Sequence, residues 1–476
     1  MKRHLPWIHR CARIVAMAWP LLLPALPGSA LAQLGCSPAP CVLPNVRATS
    51  GSAEISGAAI AVNPRDTNNV VVVSTDFNCS SGRGIYVSTN RGSTWTTQCA
   101  TTPPDTRATP TLGFAAIYNN RGHAFVASVN YGSLGPFGPS SVSVQASIDS
   151  GASFGTPTVP LPVTGSYYYF PSLEADTSGV SPFYGSLYMS TTRLSGSGSS
   201  VLISYQRPSG GLKWWTTRAT ADYAYPDMIA SSDLAIGRDG TLYLTYLKCR
   251  APVGRLYSCG GTVGTVYLQK STDGGVHWGG PVAVAAIKLA PAYCEDWIDF
   301  MTGCVDGLKG PTNIPVIAVD KTTGPGAGRL YVALNSYNGS LARVSVAMSG
   351  TGGATWARAV PMSDWVSPGD QFAPWINVDG SGRVGVTWLD RRNDPENVKY
   401  EAFSAVSTDY GASFSPNVRL SEVASDPRDV HPSWPIYLGM SFGNAWSGDT
   451  LLMAYLDLRD DFPYSRRQTW LAGTRP

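Results

Sequence analysis

One pattern recurs along this chain and limits what it can fold into: Ser-x-Asp-x-Gly-x-x-Trp, with Asn or Thr sometimes replacing Asp and Phe sometimes replacing Trp. Five copies are clear, Ser88–Trp95, Ser147–Phe154, Ser271–Trp278, Ser349–Trp356 and Ser407–Phe414, and a degenerate sixth runs from Ser204 to Trp214. The spacing has a physical reason. Short Ser and Asp side chains hydrogen-bond backbone amides within a tight turn, and Gly accepts the positive φ that closes it. The aromatic then anchors the hairpin on a core. A turn repeated at a fixed period marks a fold assembled from one unit used many times.

Other features keep phase with these turns. Pro-led apolar runs at Pro110, Pro171-Ser-Leu-Glu-Ala-Asp176, Pro315-Val-Ile-Ala-Val-Asp320 and Pro374-Trp-Ile-Asn-Val-Asp379 read as innermost strands. Pro226, Pro432 and the run from Ala58 to Asn63 extend the series to seven. A second strand follows, for example Val70 to Ser74, Leu242 to Tyr246, Leu330 to Leu334, Val384 to Trp388 and Leu451 to Tyr455, rich in β-branched and aromatic residues. The seventh unit ends where its fourth strand should begin. The segment from Cys41 to Ala48 is expected to supply that outer strand, closing a ring and removing exposed sheet edges.

The repeated turn resembles the Asp box, or BNR repeat, of the sialidase (neuraminidase) superfamily, where it joins the third and fourth strands of a propeller blade. The resemblance implies an all-β fold, a β-propeller of four-stranded blades, seven by the strand series or six as in sialidases themselves. It is a resemblance of scaffold. The Arg-Ile-Pro tripeptide that sialidases use is absent, and only Asp390, Arg391 and Arg459, with Tyr464 or Tyr437, stand as partial substitutes for their catalytic set.

The chain opens with Lys2, Arg3, Arg10 and Arg13, an apolar run from Ile14 to Leu26 broken by Pro20 and Pro24, and a small-residue site ending at Ala32. That reads as an export signal over residues 1–32, followed by a single propeller domain over 33–476. Cys36 loosely suggests a lipoprotein site, but Gln33 stands where such sites take Leu. Without the signal, 31 basic residues face 32 acidic ones, so nothing marks a nucleic-acid binder, and no later run is apolar enough to span a membrane. Eight cysteines remain, in close sequential pairs: Cys36 with Cys41, Cys79 with Cys99, Cys249 with Cys259 and Cys294 with Cys304. Four local disulfides in an oxidising compartment follow from this reading. No cysteine or histidine cluster calls for a metal, and no cofactor is expected.

In a four-stranded blade, the loop entering the first strand and the loop leaving the second open on one face, around the channel. The repeated turns lie on the other, so they and His277 within one of them read as scaffold. On the channel face, the Cys294 to Cys304 loop carries Asp296 and Trp297, a carboxylate for proton transfer beside an aromatic that can stack on a sugar ring. Two second strands end alike, in Trp388-Leu-Asp390-Arg391-Arg392 and Tyr455-Leu-Asp457-Leu-Arg459. Arg391, Arg392 and Arg459 are either anion binders or partners in local salt bridges that close each turn. His431 opens the last inner strand as the acid/base candidate. Tyr167, Tyr168, Tyr169, Tyr223, Tyr225 and Asp227 precede neighbouring inner strands and either line the same funnel or pack beneath it.

These residues point to a secreted monomer acting on an extracellular carbohydrate, a glycosidase or polysaccharide lyase. Asp296, His431, Asp390 and Tyr464 carry the catalytic roles in this reading, while Arg391, Arg392, Arg459, Trp297, Tyr169 and Asp227 bind substrate. The alternatives are a non-catalytic glycan- or protein-binding propeller and a purely structural surface protein.

Overall fold

Runs of β-branched and aromatic residues, parted by turns rich in Gly and Asp, fold into successive antiparallel hairpins. In the computed structural model these form seven four-stranded blades in a ring, a β-propeller. The structure describes residues 39–50, 55–103, 113–131, 139–252, 258–291, 293–294, 297–298, 305, 308–309, 313–364, 368–429, 436–437, 443–459 and 467–476. The first blade runs outward through Ile55–Asn63, Asp66–Asp76, Arg83–Ser88 and Thr96–Cys99. The innermost strands of the next six are Phe114–Tyr118, Tyr167–Ala175, Asp227–Ile236, Val316–Val319, Gln371–Val378 and Gly443–Ser447. The expected runs at Ala58–Asn63, Pro171, Pro226, Pro315 and Pro374 match the innermost strands of the first and third to sixth blades, and the run at Pro110 lies outside the described residues. In the seventh, the innermost strand begins at Gly443 rather than near Pro432, which lies outside the described residues.

The seventh blade is completed from the other end of the chain, as expected. Cys41–Arg47 pairs antiparallel with Gln468–Arg475, Cys41 opposite Arg475 and Arg47 opposite Trp470, and takes the outermost place in the sheet. Disulfides join Cys79 to Cys99 and Cys249 to Cys259, as the spacing suggested. Cys41 is also disulfide-bonded; Cys36 and Cys304, needed for the other two expected pairs, lie outside the described residues.

The five clear repeats each join the third strand of a blade to its fourth. In the second blade, Ser147 Oγ donates to Asp149 Oδ1 at 2.6 Å and accepts from the Gly151 amide at 2.7 Å, while Asp149 Oδ1 accepts from the Ser153 amide at 2.9 Å. The same three bonds recur at Ser407, Asp409, Gly411 and Ser413. Hydrogen bonds from Ser147 and Ser153 hold the Asp149 carboxyl at about 2. The turns also join blades. At Gly353 a Cβ would stand 2.1 Å from Leu268 Cδ2, and at Gly411 2.6 Å from Met348 Sδ, each on the third strand of the preceding blade. His277 is 87% exposed and bonds Asp273 of its own turn, which agrees with a scaffold role.

Innermost strands are tied by carboxylates, Asp233 buried and Glu174 partly so. Asp233 on the fourth accepts from the Ile317 amide of the fifth at 2.9 Å, and Lys321, just past the fifth, stands 3.6 Å from Glu174 on the third. Burial raises both acids to about 6, against the pull of Lys321 on Glu174 and of the Ser172 hydroxyl on Asp233. Their ordinary values are 4.5 and 3.8, so between those values and about 6 the folded chain holds protons that the unfolded chain has released. The stability they contribute is complete at lower pH and is lost as pH rises through about 6. Denaturation between about pH 4 and 6 should therefore show this decline, and a Glu174→Gln/Asp233→Asn variant should flatten it. Identical slopes for variant and parent would refute the assignment.

Candidate functional site

The second-strand ends of the sixth and seventh blades build one arrangement twice. Alternation along the strand puts Trp388, Asp390 and Arg392 on one face, and Tyr455, Asp457 and Arg459 likewise. Trp388 Nε1 donates to Asp390 Oδ2 at 2.9 Å, and Tyr455 Oη donates to Asp457 Oδ2 at 2.9 Å. Each Asp then accepts from the amide two residues on, at 2.8 Å in both blades, and bridges the same residue's guanidinium at 2.7 Å. The guanidiniums lie flat on aromatics of the third strand, Arg392 over Phe403 at 4.3 Å and Arg459 over Trp470 at 4.0 Å. Burial works against the charge of Arg459, yet Asp457 holds its pKa above the ordinary value. Asp76 repeats the Asp half of the motif in the first blade, accepting from the Asn78 amide and from Tyr86 Oη.

The salt-bridge alternative therefore describes these arginines. Arg392 also reaches Asp364 at 3.1 Å and Arg459 reaches Glu422 at 3.0 Å. Arg391 points the other way along its strand: its side chain is fully buried, 3.5 Å from Asp370 Oδ2, and donates to the Asn397 carbonyl at 2.8 Å. Asp390 is enclosed by Trp388, Arg392 and Gln371, whose amide donates to it at 3.1 Å. Across the ring, Tyr169 is partly buried on the third innermost strand, and Asp227 heads the fourth, 3.4 Å from both Lys248 and Arg250. Asp296, His431 and Tyr464 lie outside the described residues, as does the acidic turn around Asp296; Trp297 is described by its backbone alone.

Two of the blade connections pair with each other through their described residues. The connection from the fourth to the fifth blade forms a hairpin, Tyr293–Cys294 with Trp297–Ile298. It then runs on to Leu308–Lys309, which pairs in parallel with Ile436–Tyr437 of the connection from the sixth to the seventh blade. Val305 and Leu308 are buried in one cluster with Phe372, Leu389, Tyr400, Leu456 and Leu458. A loop entering the fifth blade is thus anchored over the sixth and seventh. The segment bearing Asp296 and Trp297 and the one bearing His431 are covalently continuous with these two paired strands.

Asn45 was missed in the sequence. It sits on the closing strand, donates to the Leu420 carbonyl at 2.8 Å, accepts from Arg459 at 2.8 Å and from the Glu422 amide at 2.9 Å, and stands 3.1 Å from Tyr455 Oη. No local pattern announces a residue whose partners are so remote. Lys248 and Arg250, flanking a disulfide cysteine at a second-strand end, did carry a signal: they occupy the place that Asp390/Arg392 and Asp457/Arg459 hold in their blades. A cavity of about 460 Å³ lies elsewhere, at the outer edge between the sixth blade and the closing strand, beside Pro40, Phe414 and Pro476.

No family model matches the sequence. No curated protein matches it either. Among solved structures, a polysaccharide lyase described as a new family, an ulvan lyase bound to -[GlcA(1-4)Rha3S]-, aligns at 9% identity with a TM-score of 0.54, over 90% of this chain and 97% of its own. A Hadza microbial sialidase aligns at 12% identity and a TM-score of 0.46, over 85% of this chain and 73% of its own. A Penicillium chrysogenum α-L-arabinanase complexed with arabinobiose aligns at 13% and 0.45, over 76% and 92%. At these identities the likeness is one of fold.

Proposed function

We propose that this chain is a secreted carbohydrate-active propeller of the sialidase-like, Asp-box type, an enzyme that cleaves an extracellular glycan at its channel face by hydrolysis or by lyase-type elimination. The observation that carries this reading is the strand pairing of Leu308–Lys309 with Ile436–Tyr437, which joins two blade connections beside the blades that hold Asp390, Arg392 and Arg459; Asp296, Trp297 and His431 belong in sequence to the same two connections. Trp297 supplies a stacking face. Asp296, His431 and Tyr464 serve in proton transfer, and Asp390, already saturated with donors, orients Arg392. The fold shared with the ulvan lyase fits this reading, as do two disulfides among the described residues and the lack there of any helix long and apolar enough to cross a membrane.

Purified protein should release either new reducing ends or unsaturated ends absorbing near the ultraviolet edge from one member of a glycan panel. His431→Ala and Asp296→Asn should lower turnover by roughly 10²-fold or more, the usual share of a positioned acid or base. Turnover that survives both changes would remove these residues from the mechanism. One observation favours a binding-only propeller: Arg391, Arg392 and Arg459 all already have carboxylate partners. Tight glycan binding without any turnover would select that reading.

A further inference from the structure

Charge is sorted across the channel face. In the ion pairs on that face of the sixth and seventh blades, six cations face eight carboxylates among the described residues, leaving aside the pairs Arg383–Asp379 and Arg475–Asp449 at the opposite strand ends. The third and fourth blades show the reverse, with four cations, Arg193, Arg218, Lys248 and Arg250, sharing two carboxylates, Asp222 and Asp227.

The four form one continuous track. Arg218 ends the outermost strand of the third blade, and Asp222, in the connection that follows, binds both it and Arg193 on the second strand of that blade. Tyr223 is next to Asp222 in sequence, and Lys248 lies 4.3 Å above its ring. Lys248 and Arg250 then share Asp227 at the head of the fourth innermost strand, each at 3.4 Å. The track thus leads from the rim of the ring to the channel mouth. Arg250 is 72% exposed and Arg218 52%, so both guanidiniums keep donors facing solvent. Tyr225, 45% exposed and two residues before Asp227, bonds through its hydroxyl to the Pro252 carbonyl at 3.1 Å, two residues past Arg250. The disulfide from Cys249, between Lys248 and Arg250, fixes the strand end that presents them.

We propose that the glycan is anionic and that its acidic groups are read by this track, with Lys248 and Arg250 as the inner contacts, rather than by Arg391, Arg392 and Arg459. The inference rests on the glycan reading above and adds the substrate class. An excess of cations with exposed forks matches carboxylate or sulfate, and aromatic faces beside them match sugar rings. The carboxylate excess across the mouth repels the same polymer, which orients it along the track.

Affinity electrophoresis of the full protein in polygalacturonate, dextran sulfate, neutral dextran and arabinan tests this. Retardation by polygalacturonate identifies carboxylate as the group read, and retardation by dextran sulfate identifies sulfate; either supports the proposal, provided that added salt weakens it. Lys248→Gln/Arg250→Gln should reduce that affinity roughly tenfold or more, the equivalent of one lost hydrogen bond between charged groups, while Lys248→Arg retains it. Arg250→Gln alone, a surface change with an unaltered melt, should reproduce part of the loss. Unchanged binding by the double variant overturns the proposal. Retardation by dextran or arabinan alone also overturns it but leaves the glycan reading standing, whereas no retardation by any of the four overturns both.

Discussion

A chain lacking residues 39–47 is expected to lose on the order of 5 kcal/mol of stability, at about 1 kcal/mol for each ladder hydrogen bond removed, and to aggregate. The deleted strand is the outermost of the seventh blade, paired along Gln468–Arg475. Its loss leaves that strand with a row of unpaired amides and carbonyls at a sheet edge, a template for pairing with other chains. It also removes Asn45, which accepts from Arg459 and the Glu422 amide, so the guanidinium of Arg459 loses one of its acceptors. Chemical denaturation and light scattering, with a synthetic peptide of residues 39–47 added back, would measure the effect. A midpoint equal to that of the intact chain would show that closure contributes nothing.

Gly411→Ala should cost about 2–4 kcal/mol, combining a left-handed backbone that disfavours a Cβ with overpacking of a filled interface. Gly411 has φ of +86°, and its Cβ would meet Met348 Sδ at 2.6 Å and Tyr331 Cε1 at 2.9 Å. Tyr331 is not free to yield, because it is fully buried and its hydroxyl donates to the Tyr410 carbonyl at 2.9 Å. The matched control is Gly350→Ala. Gly350 has no atom within 4 Å of a built Cβ, so its substitution should change the denaturation midpoint little. Equal effects of the two would mean that the turns do not hold the blades together.

Much of the ring was legible because its determinants are local. A turn set by Ser, Asp and Gly within five residues, and strands set by runs such as Val70 to Val73, declare themselves wherever they occur. The exception is instructive. The innermost strand of the seventh blade reads Gly-Asn-Ala-Trp-Ser, with too little apolar character to be recognised, so the Pro432 run was taken in its place. The site was less legible for a related reason. The two Asp-x-Arg pairs could be read because their partners lie two residues apart, and the structure decides for ion pairing. The cation track could not, since Arg193, Arg218, Lys248 and Arg250 come from two blades and only the topology collects them. Nothing local indicates that the connection from the fourth to the fifth blade travels on to the sixth and seventh blades.

Among the described residues, the strand that closes the ring is the first in chain order, and its partner at Gln468–Arg475 is the last. Six blades can assemble as they emerge, each from neighbouring sequence, but the seventh must wait until the ends of the chain meet. The slow step in folding should therefore be this final meeting of the termini, and a circular permutant opened between two complete blades would convert it into an ordinary hairpin.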